Sequence, residues 1–174
     1  MFAKIKEALD RTLEVLVTVS MGVLVVDVIW QVVSRYVLRN PSSWTEELAT
    51  FLMIWVGLLG ASVALNRGGH LGIDYVTTKL PVKIQVYTEL VVFFCIAMFS
   101  FLVLGIGGVN LVRITLASNQ VSPALGLKMG YVYLAVPISG FFLTLYSIEF
   151  FIERLVALLK GTYIIRRGEK ISPD

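Results

Sequence analysis

The chain has little of the chemistry that most enzymes require. It contains one cysteine and one histidine among 174 residues, and only 16% of its residues are charged. A dithiol enzyme needs a cysteine pair, and most membrane b-type haem sites need two histidine ligands, so both classes are excluded. No metal-ligand spacing and no glycine-rich phosphate loop is recognisable. We therefore expect no catalytic site and no cofactor, and we interpret Cys95 as a buried structural thiol.

Long apolar segments are what the sequence has instead. Hydrophobic residues make up 57% of the chain, and its mean hydropathy is +0.82. Four apolar spans each reach the ~20 residues that a helix needs to cross a bilayer. They cover residues 13–36, 44–65, 87–116 and 131–151. The connecting segments are too short to fold alone, so residues 1–174 are predicted to form a single domain: an all-α integral membrane protein with four transmembrane helices.

The segments outside these spans carry further expectations. Residues 68–81 mix apolar and polar side chains and end at Pro81, which predicts a short interfacial helix between the second and third spans. A basic tail is predicted over residues 154–174. The first span is too long for a signal peptide and has no small-x-small cleavage site, so we expect it to remain in the mature protein.

The distribution of basic residues predicts the orientation. One side of the membrane would hold eleven of the fifteen Lys and Arg residues, and the other side only Arg35, Arg39, Arg113 and Lys128. The positive-inside rule therefore places both termini and the interfacial helix in the cytoplasm. The net charge of +3 then favours contact with anionic membrane lipids, and no soluble basic surface exists for nucleic acid.

Polar residues recur on one stripe of the first span. Asp27, Gln31 and Arg35 follow one another at intervals of four, so they share a helix face. Asp27 lies only ~6 Å beyond the predicted midplane by helix rise, where an unpaired charge is costly. A packing ladder from Asp27 through Gln31 to Arg35 is the favoured interpretation, because no other span has an acid near its centre. A proton relay and pairing with another polypeptide are the alternatives.

Charged residues bracket the second span. Glu46 and Glu47 stand at its start beside Trp44, whose ring is expected at headgroup depth. Adjacent acids point about 100° apart on a helix, which predicts different partners: the helix terminus or Arg35 for one, and a basic group of another protein for the other. Three more polar residues follow the span, and their place at the membrane surface suggests contact with a partner: Arg67, His70 and Asp74. A lone histidine at such a turn is usually a hydrogen-bonded structural residue.

These motifs, in this order, resemble the small membrane subunit (DctQ type) of tripartite ATP-independent periplasmic (TRAP) transporters. The resemblance covers nearly the whole chain apart from the extreme N-terminus and the residues after Lys160. It rests on Arg35-Tyr36, Trp44-x-Glu46-Glu47, Gly60-Ala61, Arg67-x-x-His70-x-x-x-Asp74, Ser122-Pro123-Ala124-Leu125 and Pro137.

The resemblance implies a non-catalytic scaffold in the bacterial inner membrane. Its expected partners are a large membrane transport subunit (TRAP M type), which carries out sodium-coupled uptake, and a periplasmic protein that delivers a carboxylate substrate. Sialic acid is the substrate we expect. From the residues alone a second class stays open: an autonomous small four-helix secondary transporter with Asp27 as its coupling carboxylate.

Overall fold

Four long helices account for most of the chain that the structure describes. The computed structural model describes residues 2–40, 42–67, 82–159, 163–165 and 169–171. Within them, four helices are long and apolar enough to cross a membrane, which confirms the predicted all-α membrane fold with four spans. The predicted interfacial helix over residues 68–81, with His70 and Asp74, lies outside the described residues.

The first and fourth helices extend beyond the apolar spans that predicted them. The first helix covers Phe2–Tyr36 and so begins well before residue 13. In these early turns Lys6 forms an ion pair with Glu149 of the fourth helix. The fourth helix continues to Leu159, past residue 154, where the basic tail was predicted to begin. Ion pairing stabilises helical turns that hydrocarbon does not cover.

The second helix covers Ser43–Asn66, close to its predicted bounds. The third membrane helix is composite, which the sequence did not predict: it consists of an α-helix over Val82–Phe99, a π-helical segment over Ser100–Gly107 and an α-helix over Gly108–Ala117. The fourth consists of Met129–Tyr133 and Ala135–Leu159. Its interruption lies one turn before Pro137, which lacks the N–H that would bond to the carbonyl of Tyr133.

The helices pack in the spatial order first, second, fourth, third. The first packs mainly against the second, the second against the fourth, and the fourth against the third. The third and fourth helices approach closely at Gly140, where an added Cβ would lie 2.8 Å from the Cβ of Leu104. The fold therefore requires glycine at this crossing.

Little of the apolar surface is buried inside the protein. The core is a small cluster formed by Leu13, Leu59, Leu65, Phe93 and Tyr146. Large apolar side chains are exposed along the first, third and fourth helices, as expected of segments surrounded by lipid or by another membrane protein. After the fourth helix, the strands β1 (Tyr163–Ile165) and β2 (Glu169–Ile171) pair antiparallel.

Candidate functional site at the two ends of the helices

Glu47 connects the start of the second helix to the loop between the third and fourth helices. Its Oε1 accepts a hydrogen bond of 3.0 Å from the amide of Ala124, and its Oε2 accepts one of 3.0 Å from the amide of Leu125. The hydroxyl of Ser122 also donates to Oε2. An ionised carboxylate suits three donors, because charged acceptors form the stronger hydrogen bonds. We call this arrangement the Glu47 clasp.

The loop is folded locally so that it presents these donors. The Ser122 amide donates to the carbonyl of Leu127 at 2.8 Å, and the Ser122 carbonyl accepts from the amide of Gly126 at 3.0 Å. Gly126 has a φ of 66°, which glycine adopts without strain. Pro123 has no N–H, so the two residues after it supply the amides that bind Glu47. The clasp joins two motifs that are far apart in the sequence, Trp44-x-Glu46-Glu47 and Ser122-Pro123-Ala124-Leu125.

Glu46 has a different partner from Glu47. It forms an ion pair with Arg35 at the end of the first helix, with side chains that are 53% and 50% exposed. Glu46 therefore has the partner that was predicted for one of the two acids, Arg35. Glu47 also binds groups within this chain, and the pairing of one acid with a basic group of another protein stays a prediction.

The predicted ladder from Asp27 to Arg35 does not form. Asp27 and Gln31 lie on the side of the first helix with the less exposed residues, whereas Arg35 is exposed and pairs with Glu46. Asp27 is only 6% exposed, and its Oδ2 has no hydrogen-bond partner within the described part of the chain. The side chain is thus a buried polar group in an apolar seam, which is costly and calls for an explanation.

A groove of about 500 Å³ lies beside the Glu47 clasp. Carboxylate and hydroxyl groups line one part of it and apolar side chains the rest: Ser43, Glu46, Glu47, Thr50, Phe51, Ser122, Pro123, Ala124 and Met129. Trp44, also at this end, is 45% exposed, and its expected place at headgroup depth stays a prediction. The groove can receive a side chain that has both an apolar stem and a polar or cationic tip.

The opposite end of the helices is held together by a second set of contacts. Arg67, which follows the second helix, donates to Glu14 of the first helix at 2.9 Å. This hydrogen bond raises the pKa of the Arg67 guanidinium above its usual value. Tyr146 of the fourth helix donates to Asp10 of the first at 2.5 Å. Arg67 was singled out from the sequence, but its partner was not.

The ion pair between Arg154 and Glu89 was missed altogether. Their Nε and Oε2 atoms lie 2.7 Å apart, and both side chains are only 20% exposed. Phe93 and Phe150 stack beside this pair with ring centroids 5.4 Å apart. The sequence does show an acid near the start of the third membrane helix and a base near the end of the fourth. Only the packing of these two antiparallel helices shows that the two residues meet.

Cys95 corrects one further expectation. The thiol was interpreted as buried, yet the residue is exposed on the third membrane helix. The helices of this chain bury little of their surface against one another. A position in the middle of an apolar span therefore indicates how deep a residue lies in the membrane, but not that it contacts protein.

Comparisons with known proteins agree with this architecture. The sequence model of a family described as "Tripartite ATP-independent periplasmic transporters, DctQ component" matches residues 23–157. The chain is 27% identical to the sialic acid TRAP transporter small permease protein of Vibrio cholerae, over 90% of this chain and 88% of that protein.

Two longer relatives contain a similar region. The chain is 34% identical to the sialic acid TRAP transporter permease protein of Haemophilus influenzae over 78% of its own length, which is 20% of that permease. It is 33% identical to the isethionate TRAP transporter permease protein of Oleidesulfovibrio alaskensis over 55% of its length, which is 15% of that protein. The chain thus spans a fifth or less of these two relatives.

Proposed function

Because this chain belongs to the DctQ family of tripartite ATP-independent periplasmic transporters, we propose that it is a non-catalytic small membrane subunit that scaffolds and anchors a large transport subunit. The chain is a multi-pass protein of the inner membrane. The observation that carries the scaffold role is the fastening of its helices at both ends, by the Glu47 clasp at one end and the contacts of Arg67 at the other. Helices that are fixed to one another at both ends suit a subunit that stays static during transport.

The longer relatives support a membrane partner. In the permeases of Haemophilus and Oleidesulfovibrio the similar region is a small part of a much longer polypeptide. Covalent fusion in relatives is expected where two units work side by side in one membrane. The partner we propose for this chain is therefore a large permease subunit of the TRAP M type.

The proposed transport reaction is the sodium-coupled uptake of a carboxylate substrate that a periplasmic binding protein delivers. Sialic acid is the proposed substrate, and the names of two relatives support it. In the proposed orientation both termini lie in the cytoplasm, because the eleven basic residues on that side outnumber those on the other. The Glu47 clasp then faces the periplasm, where the binding protein would dock.

An autonomous transporter that uses Asp27 is the less favoured alternative. Asp27 is buried in the chain, and it does not line the groove beside the Glu47 clasp. A coupling carboxylate has to exchange its ion with water on each side of the membrane. The burial of this side chain therefore supports a structural position.

Purification and reconstitution test the proposal. A tagged chain, expressed together with a large permease subunit of the TRAP M type from the same organism, is expected to retain that larger protein in mild detergent. Liposomes that contain both proteins, supplied with the binding protein, sialic acid and a sodium gradient, should accumulate the acid. Liposomes that contain this chain alone should not. Uptake by the chain alone would overturn the scaffold role, and uptake of a different acid would correct only the substrate.

A further inference from the structure

Apart from Trp44 in its first turn, the second membrane helix exposes a single face. The other exposed residues recur every three or four positions and therefore lie along one side of the helix, whereas the opposite side is buried at Leu59 and Ser62. We call this side the Gly57 face. It consists of Ser43, Glu46, Thr50, Met53, Gly57, Ala61 and Ala64.

The Gly57 face differs from the other exposed membrane surfaces of the described chain. The first, third and fourth helices expose large apolar side chains, such as Val26 at 67%, Val91 at 62% and Phe141 at 57%. On the Gly57 face the one large apolar side chain is Met53. The small residues Gly57, Ala61 and Ala64 let the backbone of another helix approach closely, and close packing drives helix association in lipid.

The groove beside the Glu47 clasp continues this face. Ser43, Glu46 and Thr50 belong to both the face and the groove lining. Within the described residues, Arg35 balances the charge of Glu46, whereas the donors to Glu47 are a hydroxyl and two amides. The clasp therefore leaves a negative charge without a cation at one end of the face. A partner with a lysine or arginine at that level would complement it.

We propose that the Gly57 face and the adjoining groove form the surface on which one transmembrane helix of the large permease subunit packs, with a basic side chain of that helix directed toward Glu47. The inference rests on the proposed function, since it assigns a surface to the partner named there. Lipid is the alternative occupant of the face. The fused relatives favour a protein, because most of their length lies outside the region that resembles this chain.

Two glycines provide a matched test. Gly57 lies on the proposed face, and Gly22 lies on the first helix, on the side turned away from the second. Both are exposed, and a Cβ added at either would meet no atom of this chain within 4 Å. Both also lie between the Arg35–Glu46 pair and the Arg67–Glu14 pair, hence at similar depth. Leucine at either position should leave the isolated chain folded.

The measured quantity is the amount of large permease that co-purifies with the tagged chain. We expect Gly57→Leu to lower this recovery about tenfold, as overpacking at a close helix contact does, and Gly22→Leu to leave it unchanged. The melting temperature of each isolated variant should match the parent. Parent-like recovery with Gly57→Leu, or an equal loss with Gly22→Leu, would overturn the assignment.

Photo-crosslinking provides an independent measurement. Benzoylphenylalanine in place of Met53, the one large apolar side chain of the Gly57 face, should crosslink to the large permease, whereas the same group in place of Val26 should not. A lipid adduct alone at Met53 would show that the face is covered by lipid and that the proposal is wrong. The two proposals fail differently. If the parent chain retains no large permease, the scaffold role is wrong. If the parent chain retains the permease but neither the loss of recovery nor the crosslink at the Gly57 face is observed, only the assigned surface is wrong.

Discussion

Glu47 holds Ser122, a residue 75 positions further along the chain, in a hydrogen bond that joins the start of the second membrane helix to the loop before the fourth. The same carboxylate binds the amides of Ala124 and Leu125. Because the second and fourth helices also pack against each other, the clasp fixes how they begin relative to one another. It is therefore the contact at this end on which we expect stability to depend most.

Replacement of the two adjacent acids should separate their roles. Glu47→Ala leaves the Ala124 amide and the Ser122 hydroxyl without this acceptor and removes one of the two acceptors of the Leu125 amide. Glu46→Ala removes one exposed ion pair, a class worth ~0.2–1 kcal/mol. We expect the melting temperature of the purified chain to fall more for Glu47→Ala. Ser122→Ala, which removes one of the three donors, should have an intermediate effect. Equal melting temperatures for both acid variants would contradict the clasp.

The ion pair between Glu89 and Arg154 should couple the third and fourth helices more strongly than Arg35 and Glu46 couple the first and second. Its side chains are 20% exposed, against about half for the other pair, so water and salt screen it less. A double-mutant cycle with Glu89→Gln and Arg154→Gln should give the larger coupling free energy, and the coupling should persist at high salt. A coupling no larger than that of the exposed pair would refute this prediction.

Gly140→Ala should destabilise the packing of the third helix on the fourth. The new Cβ would lie 2.8 Å from the Cβ of Leu104, and overpacking of this kind costs about 1–3 kcal/mol. Gly57→Ala is the matched control, because its Cβ meets nothing within 4 Å. Thermal unfolding in detergent measures both. A melting temperature of Gly140→Ala that equals that of Gly57→Ala would show that the helices can separate without loss.

Substitutions of Asp27 test whether the chain or the complex needs a carboxyl group at this buried position. Its Oδ2 has no partner in the described chain, so Asp27→Asn removes no hydrogen bond to that atom and should keep the melting temperature and the transport activity of the complex. Asp27→Leu should likewise spare the isolated chain. If Asp27→Leu prevents assembly while the isolated chain stays stable, the large subunit supplies a donor to this carboxyl group. Normal assembly with loss of sodium-coupled uptake in Asp27→Asn would instead establish a relay.

The orientation can be tested with single cysteines in a Cys95→Ala background, which is required because Cys95 is exposed. In intact spheroplasts that express this chain without a large permease, Ser43→Cys and Ser118→Cys should react with an impermeant thiol reagent, since the charge distribution predicts that both lie outside. Ser172→Cys should react only after permeabilisation. Reaction of Ser172→Cys in intact spheroplasts would reverse the proposed topology.

Some of these features follow from local sequence and others from contacts between helices. The number of spans and the membrane class follow from the length and apolarity of each segment, because the bilayer sets the helix length that its hydrocarbon requires. The ordered motifs were likewise sufficient for the resemblance to the DctQ family. The different directions of Glu46 and Glu47 follow from helix geometry alone.

The tertiary structure alone decided which groups meet. The Glu47 clasp, the pairing of Arg154 with Glu89 and the isolation of Asp27 all depend on the order and register of helices that the sequence does not encode locally. The exposure of Cys95 has the same origin. Hydropathy places a residue at a depth in the membrane, but only helix packing decides whether its neighbour at that depth is lipid, water or a side chain 75 positions away.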